Sequence, residues 1–166
     1  MGRSLRPTTS LVLGALLNIV GDVYGVRFLD LFAGTGNVGF KVLEKGADMV
    51  VWVEKDKLLA SAIRERLKGM GINSGFVVGM DVLRALRYLY DKGLKFDIVF
   101  MDPPYGKGYV ERVVRLIRRF SVVGEGGWLI AEYRKGDVDK EIVEKEYIYG
   151  DTALGILKID NIPKEE

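Results

Sequence analysis

Four times between residues 26 and 102 a short apolar run arrives at a carboxylate. Residues 26–31 carry Asp30 near their end, Met49–Val53 is followed by Glu54, Gly75–Val78 runs on to Met80-Asp81, and residues 95–101 stop at Asp102. Runs this short, rich in Val, Ile and Phe with few polar interruptions, read as strands buried on both faces. Helix-length stretches with apolar residues at i, i+3 and i+4 separate them. That alternation dictates a mostly parallel sheet with helices on both faces. In such sheets ligands bind beyond the carboxyl ends of the strands, which is where the four acids fall.

The helices follow from their caps and stripes. Thr8, Thr9 or Ser10 starts a first helix running to about Val20, just after Pro7. Its residues 11–20 are apolar on nearly all sides, which favours a packed core helix over an exposed adhesive face. Asp56 caps a helix to about Met70 with Leu59, Ala62, Ile63, Leu67 and Met70 inward. Residues 82–90 form the next, with Val82, Leu83, Leu86, Leu89 and Tyr90 inward. Residues 109–120 place Val110, Val113, Val114 and Ile117 inward and Arg112, Arg115 and Arg119 outward; the arginines read first as a solvated face and second as a grip on phosphates. Residues 124–127 are expected as a turn and 128–133 as a fifth strand with Glu132 near its end. The tail, residues 144–149 and 153–159 around Gly150-Asp151-Thr152, reads as an antiparallel hairpin closing the sheet, with residues 162–166 frayed.

Two stretches carry chemistry. Asp30-Leu-Phe-Ala-Gly34-Thr-Gly36-Asn-Val-Gly39 joins the first strand to a helix ending near Lys45, and Glu54 follows 20 residues after Gly34. Glycines there permit a tight turn and close approach of a ligand to backbone N–H groups, while a carboxylate at the second strand's tip suits two ribose hydroxyls. No lysine lies in the glycine turn, which argues against a triphosphate loop. The second stretch is Asp102-Pro103-Pro104-Tyr105. Consecutive prolines end the strand and freeze the carbonyls of Asp102 and Pro103. A carboxylate and a fixed carbonyl beside an aromatic ring suit a planar group with an exocyclic –NH2, such as a nucleobase. The tetrapeptide alone suits a stiff turn equally well; the glycine loop upstream tips the balance.

Composition narrows the chemistry. The 166 residues, 48% apolar and 29% charged, suit one domain with a substantial core. There is no Cys and no His, which removes disulfides, the usual zinc ligands, imidazole bases and thiol nucleophiles together. No metal is expected. The longest apolar run, residues 11–20, is too short to span a bilayer, so a cytoplasmic location and no membrane partner are expected. A net charge of +2 neither demands nor excludes nucleic acid.

From about Leu5 to Ile159 the chain resembles the RsmD family of Rossmann-like, S-adenosylmethionine-dependent methyltransferases, which act on the exocyclic amine (N2) of a guanine in small-subunit ribosomal RNA. The resemblance is carried by Arg6-Pro7-Thr8-Thr9, Leu29-Asp-Leu-Phe-Ala-Gly-Thr-Gly36, residues 96–105 and Tyr149-Gly-Asp-Thr152. It implies a single class I methyltransferase domain over residues 1–166: a basic N-terminal segment and capping helix over 1–20, then a core over 26–159. S-adenosylmethionine is the implied cofactor, held by Asp30, Phe32, Ala33, Gly34, Thr35, Gly36, Asn37, Glu54, Lys55, Asp81 and Val82. Asp102, Pro103, Pro104 and Tyr105 would be catalytic, and Arg6, Thr8, Thr9 and Lys107 would meet substrate, ribosomal RNA or the small subunit. The family's β-hairpin ahead of Arg-Pro-Thr-Thr is expected to be missing, and Ser10-Leu-Val-Leu-Gly14 stands where relatives carry a charged turn. Rival readings are an adenine-N6 methyltransferase on DNA or RNA, a protein glutamine methyltransferase, and a cofactor-binding partner subunit without activity. Oligomeric state is not read from the residues.

Overall fold

A computed structural model describes residues 9–106 and 108–159, without the side chain of Thr9. Five parallel strands alternate with helices: β1 (Arg27–Leu31), α2 (Asn37–Glu44), β2 (Met49–Val53), α3 (Lys57–Gly69), β3 (Gly75–Val78), α4 (Val82–Asp91), β4 (Phe96–Met101), α5 (Tyr109–Arg119) and β5 (Val123–Arg134). Helix α1 (Thr9–Val20) precedes them, and a 3-10 turn leads into the hairpin β6 (Val143–Tyr149) and β7 (Thr152–Leu157). The seven strands lie in the order β3-β2-β1-β4-β5-β7-β6, with β7 antiparallel to both neighbours. This is the expected α/β sheet with its closing hairpin.

Strand periodicity sorts the core into two layers. Leu29, Leu31, Val51, Val53, Val99 and Met101 meet α4 and α5 on one face. Phe28, Val50, Trp52, Ile98 and Phe100 meet α1, α2 and α3 on the other. Sealing a side chain as large as Phe28 or Phe100 stabilises by roughly 1.5–3 kcal/mol. Helix α1 is covered as its composition requires: Val12, Leu13, Ala15 and Leu16 are buried.

Three expectations need correction. Asp56 caps α3 as expected, its Oδ1 accepting from the N–H groups of Leu58 and Leu59 at 2.9 and 3.0 Å, but the inward residues are Ala60, Ile63 and Leu67, while Ala62 and Met70 are exposed; at 3.6 residues per turn Ala60 shares the face of Leu67, whereas Ala62 stands about 100° round from Ile63. On α4 Ala85 takes the inward position assigned to Tyr90, which is exposed beside Phe120. The glycines at 124–127 do not separate β5 from a turn. They lie inside it, in a bulge where Phe96 pairs with Val123 and Ile98 with Trp128. Gly126 has φ +72° and Gly127 has no room for a Cβ beside Val123, so the extra residues loop out without ending the strand.

The order reverses between β1 and β4, from which the chain departs in opposite directions. Leu31 is level with Val53 on one side and Met101 on the other, and Val53 with Val78. The next residues, Phe32, Glu54, Gly79 and Asp102, therefore emerge at one height above this crevice.

Candidate active site

Register alone brings the acids together, and the loops then orient them. Glu54 accepts from the Gly34 N–H through Oε1 and from the Asp56 N–H through Oε2, each at 2.8 Å. Two backbone donors thus hold the carboxylate rigid, and each oxygen keeps a second lone pair. Asp81 caps α4, its Oδ1 accepting from the Leu83 N–H at 2.9 Å. With Phe32, Lys55, Val82 and Asp102 these residues wall a cavity of about 250 Å³.

Asp30 lies beneath the glycine turn, 2% exposed, with the Gly39 N–H donating to its carboxylate. Gly36, at the cap position of α2, offers no side chain, so Asp30 reaches across from β1 to serve the first turn of that helix. Burial pushes its carboxyl well above the ordinary range, and the charges of Asp102 and Glu54 push it further. That shift favours the neutral form of Asp30; the cavity wall itself carries Glu54, Asp81 and Asp102, an acidic lining that favours a positively charged ligand.

Asp102-Pro103-Pro104-Tyr105 stands between two cavities. Asp102 and Pro104 face the one just described. Pro103, Pro104 and Tyr105 line a second, of about 320 Å³, with Glu111, Tyr133 and Asp137 across from them. Tyr109 belongs to both walls and meets Phe32 edge-on at 5.7 Å, closing the first cavity between the loops after β1 and β4. Phe32 holds φ at 61°, a conformation that non-glycine residues rarely adopt and that often marks a ligand-binding turn.

Not every expected residue converges. Asn37 is exposed and turned toward α3, its Oδ1 accepting from Arg66 Nη1 at 2.9 Å. Thr35 is exposed on the turn, Ala33 half-buried, and Lys55 exposed at the cavity rim. Arg6, Thr8 and Lys107 lie outside the described residues; Thr9 is the first residue of α1. Among the described residues no cluster of three or more metal-ligating side chains occurs, and no helix is long and apolar enough to cross a membrane.

Two supports escape sequence reasoning. Trp52 Nε1 donates to the Gly36 carbonyl at 3.0 Å, and its ring packs on Phe40 at 4.8 Å. A Cβ on Gly39 would collide with that indole, and one on Gly36 would sit 3.1 Å from it. These two glycines make room for a tryptophan underneath; only Gly34, with φ +58° and nothing within 4 Å, leaves open space above. The second support is Tyr133, whose hydroxyl donates to Glu146 Oε2 at 2.5 Å and whose ring faces Gly155 of β7. Burial and the Glu146 charge push its phenol upward, so it stays protonated at the wall of the second cavity. Alternation marks Trp52 and Tyr133 as buried, yet no local pattern names what they touch.

Residues 1–157 match the family described as "Conserved hypothetical protein 95". YlbH of Bacillus subtilis (strain 168), provisionally named an rRNA methyltransferase, is 29% identical over 167 residues that cover 95% of this chain and 89% of its own. Ribosomal RNA small subunit methyltransferase D of Escherichia coli (strain K12) is 31% identical over 129 residues, 77% of this chain but only 61% of its own. The solved structure of yhhF from Escherichia coli, provisionally called a methyltransferase, superposes with a TM-score of 0.77 at 25% identity, covering 92% of this chain and 86% of that one.

Proposed function

The chain belongs to the conserved hypothetical protein 95 family, that of the RsmD methyltransferases, and from that premise we propose that it methylates the exocyclic N2 amine of a guanine in small-subunit ribosomal RNA. S-adenosylmethionine is the methyl donor, and when bound it supplies an electrophilic methyl group on a positively charged sulfur. The site fits that group on its own evidence: a crevice walled by three carboxylates favours a cation, and Gly34 leaves backbone space beside them.

Each residue then has a role. Glu54, held by two backbone donors, accepts from ribose hydroxyls with its remaining lone pairs. Asp81 and the Val82 backbone meet the adenine edge, while Asp30 and the loop through Phe32, Ala33 and Gly34 face the amino-acid end. Phe32 and Tyr109 close the crevice and exclude water. On the acceptor side, Asp102 and the Pro103 carbonyl take the two N–H bonds of the base amine. An aryl amine is a weak nucleophile because its lone pair is delocalised into the ring. Accepting a hydrogen bond from each N–H favours a pyramidal nitrogen; Asp102 stabilises the positive charge that grows there and is placed to take the proton the nitrogen sheds once methylated. Tyr105 stacks on the base, which must be unpaired or flipped out to reach it.

The observation that carries this reading is the position of Asp102-Pro103-Pro104-Tyr105 as the wall shared by two cavities, one acidic and beside the glycine turn, the other aromatic. Asp102→Ala should bind S-adenosylmethionine in calorimetry yet lose nearly all methyl transfer; normal turnover would remove the role assigned here. Labelled donor offered with small ribosomal subunits, naked ribosomal RNA, DNA or protein extract identifies the acceptor. Label in DNA or protein alone refutes the RNA assignment.

A further inference from the structure

Helices α4 and α5, which begin at the crevice, are strongly basic, as is α3 on the other face of the sheet with Lys57, Arg64, Arg66 and Lys68 against Glu65. Helices α4 and α5 carry six arginines against two acids, Asp91 and Glu111, a net charge of +4 in a chain whose total is +2. The remainder is therefore net acidic. Arg84, Arg87, Arg112, Arg115 and Arg119 are all exposed. Arg87 makes a long, solvated pair with Asp91 at 3.9 Å, and the other four have no ion pair among the described residues. Arg118, also on α5, is half-buried and donates to the Lys158 carbonyl at 2.9 Å, and Arg66 on α3 bonds Asn37 and stacks over Phe40 at 3.9 Å; Arg112 and Arg119 lie more loosely over the Tyr109 and Phe120 rings, at 5.7 and 5.3 Å.

The exposed guanidinium groups have a floor to work against. A shallow groove of about 250 Å³ runs between α4 and α5, with Leu83 and Leu116 below and Arg112 and Arg115 along one side. Val82 and Tyr109, which wall the donor cavity, are one residue and one turn away from Leu83 and Arg112. From that cavity the stripe Arg112, Arg115, Arg119 runs about 10 Å down α5 at 1.5 Å per residue. A groove with cationic walls and an apolar floor that opens at the reacting centre tracks a single strand of nucleic acid.

We infer that this arginine face of α4 and α5 docks the phosphate backbone of the RNA strand that leads into the site, an inference that rests on the function proposed above. The arginines then supply affinity and register without touching the reacting base.

The test compares Arg112→Glu/Arg115→Glu/Arg119→Glu with an equal charge reversal on the opposite face of the sheet, Lys41→Glu/Lys45→Glu/Lys68→Glu, and uses arginine-to-alanine changes as a milder second set. Calorimetry with S-adenosylmethionine verifies that each variant retains its fold. At about 0.15 M salt, KM for small-subunit RNA should rise about tenfold in the arginine variant with kcat at saturation unchanged, and the slope of log affinity against log salt should flatten by roughly 2 for three lost single-strand contacts. The lysine variant should change neither. Unchanged KM and slope in both arginine sets, or equal losses in the arginine and lysine variants, overturns the docking face while leaving the enzyme's function standing. A parent protein that labels DNA and not RNA overturns the function itself, and the RNA docking with it.

Discussion

Replacing Gly39 by alanine puts a methyl group where the Trp52 indole already lies. The new Cβ would stand 2.7 Å from Trp52 Cε2 and 2.9 Å from Val50 Cγ1, and closer still to Nε1. Neither neighbour is a flexible chain end; both belong to β2, an interior strand paired on both sides. Overpacking of this kind costs roughly 1–3 kcal/mol. If the indole tilts away it also abandons the Gly36 carbonyl, leaving a buried donor and acceptor unmet for a further 1–3 kcal/mol or so. Alanine's better helix propensity returns about 0.5–1 kcal/mol. The net loss is roughly 2–4 kcal/mol, a drop in Tm of about 5–15 °C for a domain of this size. Urea unfolding followed by tryptophan fluorescence measures it, and Gly14→Ala in α1, where nothing lies within 4 Å of the new Cβ, is the matched control expected to gain about 0.5–1 kcal/mol. Adding Trp52→Phe to Gly39→Ala should cost less than the two changes summed, by about 1 kcal/mol or more. A Gly39→Ala protein as stable as the Gly14→Ala protein would refute the claim that this glycine is required by packing.

Glu54→Ala removes the acceptor of two backbone N–H groups as well as the proposed ribose contact; calorimetry should show S-adenosylmethionine affinity falling more than tenfold, and equal affinity would end the role assigned to it. Asp30 keeps its proton to higher pH in the folded protein than in the unfolded chain, so its contribution to stability is whole below about pH 4 and declines as pH rises through its folded value. Urea midpoints of the ligand-free parent should therefore fall relative to Asp30→Asn between pH 4 and 8, and parallel profiles would contradict the burial argument. Gly155→Ala drives a methyl group into the Tyr133 ring and should cost about 1–3 kcal/mol in thermal unfolding, most of it relieved by Tyr133→Ala in the same chain.

Local rules account for most of the architecture. The strands β2 and β3 begin and end where their apolar runs do, Asp56 and Asp81 cap the helices they precede, and Val110, Val113, Val114 and Ile117 form the buried stripe of α5. These features depend on neighbours a few residues away, whose spacing is written in the chain. Of the misplaced inward residues, Met70 and Tyr90 stand at helix ends, where periodicity is the weakest guide, while Ala62 lies mid-helix and is small enough for either face. The glycines at 124–127 look like a turn by composition and become a bulge only because β4 runs alongside.

The site divides in the same way. Chain order alone determined that acids would crown successive parallel strands and that Asp102 would be framed by prolines, because a strand's direction and a proline's φ are local properties. Only the tertiary structure decided that Asp30, Glu54 and Asp102 share one electrostatic field, that Asn37 turns toward Arg66 instead of the crevice, and that Gly36 and Gly39 yield to Trp52. Strand register sets which tips stand side by side, and close packing sets which side chains have room, and both are contacts between residues far apart along the chain.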